Sequence, residues 1–161
     1  NYLVVTREVD PAANEDVRVQ HVMKGYRADA RSQVETLVFM AFFERAHAVF
    51  CRNLAAQLTE PVLAGLTDRI AKDEERHEEF FANLVTHCLS YLRDETIEAI
   101  ARRAAELPVV GGDIDAYQDK VANIEDAGIF GPEQLRQVMS RTRPGRAKSR
   151  TATPPGGRRT R

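Results

Sequence analysis

Glu44 and, thirty residues on, Glu74-Glu75-Arg76-His77 are the residues whose types and spacing could do chemistry in this chain. A carboxylate and an imidazole three residues apart on a helix share one face and can approach one ion together. A further carboxylate from a neighbouring helix adds a third ligand. Carboxylate-plus-histidine ligation suits iron or manganese, with zinc also feasible. A glutamate on one helix and a Glu-x-x-His on the next is half of the ligand set with which helical bundles hold two bridged metal ions. The other half, a glutamate and a second Glu-x-x-His, is expected on helices before Asn1, and the absence of an initiator methionine fits a start that is a cut. A lone Glu-x-x-His is a weak signal. Its ordinary alternative is a core histidine, or a buried Arg–Glu pair made with Arg45 or Arg76. The second glutamate on an adjacent helix is what lifts the pattern above that alternative.

These ligands need long helices to position them, and the sequence provides them. Val34, Leu37, Ala41, Glu44, Ala48, Cys51, Ala55 and Leu58 step by three and four, which marks one apolar face of a helix over about 32–58. Thr67, Ile70, Glu74, His77, Phe81, Leu84 and Cys88 do the same on the next helix, after a break at Thr59-Glu60-Pro61 in which threonine is expected to cap. Glu44, Glu74 and His77 fall on these stripes rather than on the wet faces. A buried unpaired carboxylate costs several kcal/mol, so it must be paired, protonated or bound to a cation. A shorter helix is expected from Pro11 to Lys24, closed by Gly25. Another opens at Arg93 or Asp94 and ends near Leu107-Pro108, before a Gly111-Gly112 turn. Asp113 is expected to cap a helix to about Asp126 that Ala127-Gly128 stops, and Pro132 begins a last one to about Ser140. The fold class is therefore all-α, a helical bundle.

A chain of 161 residues supports one domain with a real core. Residues 1–140 form that domain. Residues 141–161 hold eight basic residues and no acid, leaving fifteen basic against 24 acidic residues in the body. This Arg/Pro/Gly/Thr tail cannot bury enough apolar surface to order itself and is expected to be disordered. Without interleaved aromatics it gives only non-specific attraction, so no nucleic-acid partner is expected. No apolar run approaches the roughly 20 residues of a membrane span. Cys51 and Cys88 have neither CxxC spacing nor a disulfide framework, and fit a reduced cytoplasmic setting in which they pack rather than react.

The residues around both motifs carry a resemblance. Phe42-Phe43-Glu44-Arg45-Ala46, followed by Asp73-Glu74-Glu75-Arg76-His77-Glu78, resembles the F-x-E-R-A and D-E-x-R-H-E runs of the soluble acyl-[acyl-carrier-protein] desaturases. Tyr2 to Arg7, Asn14-Glu15-Asp16, His21 to Tyr26 and Ala127-Gly128-Ile129-Phe130 are similar to the bacterial, DesA-type branch. The likeness covers about residues 2–138. It implies the carboxy-terminal half of a ferritin-like bundle that binds two iron ions in its complete site. Glu44 would be the terminal carboxylate and His77 the histidine of one iron, and Glu74 a carboxylate bridging both. Asp73 would orient a histidine of the other half, and Arg76 would pair with that half's bridging glutamate. The implied reaction is an O2-dependent introduction of a double bond into an acyl chain held on acyl carrier protein. Its electrons come from a ferredoxin-type donor, and the full-length family forms homodimers. Met40, Phe42, Phe43, Val49 and Phe50 could line an acyl channel, although helix packing accounts for most of them.

The chain departs from the family at His47, which makes a second Glu-x-x-His with Glu44 where plant relatives have threonine. A hydrogen-bonding or exposed role is expected for it ahead of ligation. His21 and His87 have no partners at ligand spacing. With one glutamate and one Glu-x-x-His in hand, the isolated chain is expected to be inactive. Two other readings stand beside this one: another ferritin-like iron protein, or a non-catalytic helical fragment with vestigial ligands.

Overall fold

The computed structural model describes residues 2–24, 32–105 and 116–140. Among them are seven helices and no strand: α1 (Tyr2–Val5), α2 (Pro11–Lys24), α3 (Gln33–Gln57), α4 (Pro61–Tyr91), α5 (Arg93–Ala105), α6 (Tyr117–Asp126) and α7 (Pro132–Ser140). The expected Gly25 stop, Leu107-Pro108 end, Gly111-Gly112 turn, Asp113 cap and basic tail lie outside the described residues.

Local chemistry explains where the helices begin and end. Ser32 opens α3 through a reciprocal capping box, with Glu35 N–H donating to Ser32 Oγ at 3.2 Å and Ser32 N–H to the Glu35 carboxylate at 3.3 Å. Glu60, rather than the expected Thr59, caps α4. Its carboxylate accepts from the Val62 and Leu63 amides at 3.1 and 2.6 Å. With Pro61 as the first helical residue the cap falls one position after Thr59, and a negative charge suits the positive end of the helix. Gly128 stops α6 in the left-handed region at φ 67°, its amide donating to Glu125 O at 2.8 Å. One element escaped the sequence pattern. Residues 2–5 form a single helical turn, too short to show a period.

Helices α3 and α4 are joined by three residues and pack against each other along their length, as antiparallel neighbours must after so short a connection. Helix α5 rests on both, and α7 rests on α3. The core gathers where all four meet. Val34, Val38 and Phe42 of α3 enclose Ala99 of α5 and Val138 of α7, with Val85 and Cys88 of α4 closing it. This corrects the stripe on α3. Val38 and Phe42 are buried in place of the expected Leu37 and Ala41, because α3 faces α5 and α7 as well as α4 and so buries a wider arc. From Glu44 onward the expected face, with Ala48 and Cys51, is the buried one. Phe42 is thus a core residue. Among the described residues, no helix is long and apolar enough to cross a membrane.

Candidate metal centre

Glu44, Glu74 and His77 meet midway along the α3–α4 pair. Each offers one ligand atom, and these atoms lie within 4.8 Å of one another. The straight run of both helices does this. Glu44 sits on the face of α3 toward α4, and Glu74 and His77 lie one turn apart on α4. Glu44 is buried at 7% exposure. The Glu74 side chain keeps 13% of its surface and that of His77 57%, so the group opens toward solvent at its histidine. His77 therefore stands at the edge of the seam rather than within it, and Ile70 is likewise exposed. Thr67 and Ala71 are the α4 residues that are fully covered.

The electrostatics are those of a buried carboxyl beside a second one. Glu44 and Glu74 are hydrogen-bonded to each other. Burial, then that hydrogen bond, then the charge of Glu74 push the Glu44 carboxyl up to about 7, against the opposing pull of His77. Burial works against Glu74 too, but hydrogen bonds with Glu44 and His77 and the charges of His47 and His77 hold it below the usual carboxylate range. The hydrogen bond to Glu74 raises the His77 imidazole above its ordinary value, aided by the charges of Glu74, Glu44 and Asp73. His77 Nδ1 lies 2.8 Å from Glu74 Oε2 and 3.8 Å from Glu44 Oε2. A cation among these oxygens and the imidazole would offset the burial and the carboxylate repulsion that raise the Glu44 carboxyl. The donor set of two carboxylates and one nitrogen fits a first-row transition metal.

The ordinary alternative for Glu44 does not arise. Arg45 turns away from it and pairs with Glu78 at 2.7 Å, while also donating to Val138 O at 3.1 Å. Sequence reasoning missed this link across α3, α4 and α7, although Glu78 follows Glu74 by one helical turn and so shares its face. A cavity of about 90 Å³ lies beside the link, bordered by Arg45, Val49, Arg52, Glu75 and Glu78 among others, and none of the three candidate ligands lines it. Arg76 and Asp73 pair with each other on the exposed side of α4. They touch none of the three ligands, and Asp73 reaches His77 only through its charge. His47 contacts the group directly, with Nδ1 3.0 Å from Glu74 Oε1. A hydrogen-bonding, part-exposed His47 is what the sequence predicts. That its partner is Glu74 depends on how α3 and α4 meet. His87 packs beside Tyr91, ring centroids 4.9 Å apart. Cys51 is buried, and burial and the charge of Glu74 push its thiol up, which keeps it protonated and inert.

Comparison with known proteins gives the family. The family model described as fatty acid desaturase matches residues 1–143. DesA2 of Mycobacterium tuberculosis, which carries the provisional name acyl-[acyl-carrier-protein] desaturase, is 76% identical over 139 residues, 86% of this chain and 50% of that protein. Acyl-[acyl-carrier-protein] desaturase 7, chloroplastic, of Oryza sativa is 30% identical over 112 residues, 63% of this chain and 28% of its own. The X-ray structure of M. tuberculosis DesA2 superposes with a TM-score of 0.75 at 70% identity, covering 86% of this chain and 53% of that one. The chain thus spans about half the length of DesA2, and its all-α architecture is the expected ferritin-like bundle. The chain belongs to the fatty acid desaturase family.

Proposed function

We propose that this chain supplies Glu44, Glu74 and His77 to the di-iron centre of an acyl-[acyl-carrier-protein] desaturase. The convergence of these three ligand atoms within 4.8 Å, in a chain of this family, is the observation that carries the reading. Iron supplies the O2 activation that removes two hydrogens from an acyl chain. The chain's own residues do the holding. Glu44 and His77 would hold one ion, with Glu74 as the carboxylate shared with the second, and the α3–α4 seam keeps water from the Glu44 side. Three protein ligands are too few for two irons, so turnover requires the ligands of a second Glu and Glu-x-x-His unit. The substrate is an acyl chain on acyl carrier protein, the electrons come from a ferredoxin-type donor, and the complete enzyme is a homodimer. A cytoplasmic setting fits the two free thiols at Cys51 and Cys88. Residues 1–140 are the ferritin-like unit, and 141–161, outside the described residues, carry the basic charge. Asp73 and Arg76 are free to exchange their mutual pair for partners on that second unit.

A chimera tests this. Residues 1–140 replace the matching region of DesA2, and iron content and desaturation of an acyl-acyl carrier protein are measured. The expected result is two irons and turnover, both lost in Glu44→Ala, Glu74→Ala or His77→Ala. A chimera that binds iron unchanged in all three variants overturns the assignment.

A further inference from the structure

Glu74 has an imidazole on each of its two oxygens. His77 Nδ1 lies 2.8 Å from Oε2 and 3.8 Å from Glu44 Oε2, and His47 Nδ1 lies 3.0 Å from the other oxygen, Oε1. A carboxylate that bridges two ions gives one oxygen to each, and each ion takes its further ligands on its own side. Two ligand atoms that share a cation at bonds of about 2.1 Å, at octahedral to tetrahedral angles, lie about 3.0–3.4 Å apart. The His47–Glu74 separation already meets that requirement. His47 is placed for it by the helix, because it follows Glu44 by three residues and shares its face of α3. Its ring is steadied by Phe43, at a centroid distance of 6.0 Å, which in turn stacks on Phe39. At 42% exposure its side chain is open enough for water or a further group to complete an ion's coordination there.

We propose that His47 is a metal ligand of this chain, binding a second divalent transition-metal ion at Glu74 Oε1, so that Glu44-x-x-His47 and Glu74-x-x-His77 act as paired motifs around one bridging carboxylate. This rests on reading Glu44, Glu74 and His77 as ligands, and adds a nitrogen on the side that the three-residue group leaves without one. The bare alternative is a histidine that only holds Glu74 in place by a hydrogen bond. Glutamine at position 47 separates the two, since its amide can still donate to Glu74 but is a far poorer ligand for a transition metal.

The experiment titrates the full 161-residue chain with zinc or cobalt(II) by calorimetry and follows the imidazole nitrogens by NMR. Two equivalents are expected, with the nitrogens of both His77 and His47 shifting. His47→Gln is expected to lose the second equivalent or weaken it at least tenfold, while His77 still shifts. One equivalent bound through His77 with His47 unmoved overturns the proposal and leaves the three-ligand reading intact. Two equivalents in His47→Gln overturn it as well, since a hydrogen bond then suffices. No uptake at all overturns both readings. The shifts in the unmodified chain decide the matter even if the variant fails to fold.

Discussion

Replacing Glu44 with glutamine removes a charge from the buried seam while keeping a hydrogen-bond donor for Glu74. The Glu44 carboxyl stands at about 7 in the folded chain against an ordinary 4.5. At about 1.4 kcal/mol per pKa unit, ionised Glu44 costs the metal-free native state on the order of 3 kcal/mol. The Glu44–Glu74 hydrogen bond that raises Glu44 lowers Glu74, so part of this is shared between the two carboxyls, which leaves a net cost of about 1–3 kcal/mol. The sign is fixed by which state holds the proton. Between the unfolded and folded values the native chain binds more protons, so wild-type stability is greatest below the unfolded value and falls as pH rises through about 7. Urea denaturation with a chelator present, at about pH 4 and about pH 8.5, measures this. The variant is expected to match wild type at the lower pH and to exceed it by about 1–3 kcal/mol at the higher one. Added divalent metal should reverse the order at the higher pH, since it stabilises only the chain that binds it. A variant less stable than wild type at the higher pH without metal, or a difference that ignores pH, refutes the reasoning.

Phe42→Ala should cost about 3–5 kcal/mol in denaturant melts, because it empties the centre of the contact between α3, α5 and α7. Arg45→Ala removes the charge-assisted bonds to Glu78 and Val138 O and should cost about 1.5–3 kcal/mol. Amide exchange should accelerate selectively in α7, and uniform acceleration would deny that Arg45 pins it. Gly65 lies inside α4 with open space around an added Cβ, so Gly65→Ala should stabilise the chain by about 0.5–1 kcal/mol, read as a rise in the thermal midpoint.

Much of the fold is legible because its punctuation is chemical. Ser32 with Glu35, Pro61, Gly128 and Pro132 each start or stop a helix for reasons that act within four residues. The errors share a cause, which is that tertiary contacts choose among local options. Thr59 and Glu60 can both cap, and Pro61 at the first helical position selects Glu60. Leu37 and Val38 both suit an apolar face, and the added contact with α5 and α7 selects Val38. The candidate ligands were legible from periodicity because Glu44 and Glu74 interrupt apolar stripes. The exposure of His77 was not, since a stripe position does not say whether a neighbour covers it. Nor was the contact of His47 with Glu74, which depends on how the two helices meet face to face.

The depth of the group along its helices has a kinetic consequence. Glu44 has at least eleven residues of α3 on either side, and Glu74 and His77 have at least thirteen of α4. At 1.5 Å per residue, the nearest helix end is about 17 Å away. Fraying is confined to the last turn or so and cannot loosen these side chains. An ion held there can therefore leave by one of two routes. It can wait for α3 and α4 to part along their length, or it can pass sideways where His77 and His47 meet solvent. The second route needs only rotamer changes of exposed side chains. Exchange of the ion from this chain is thus set at the two histidines, and covering them with the helices of a second ligand unit should slow release and uptake together.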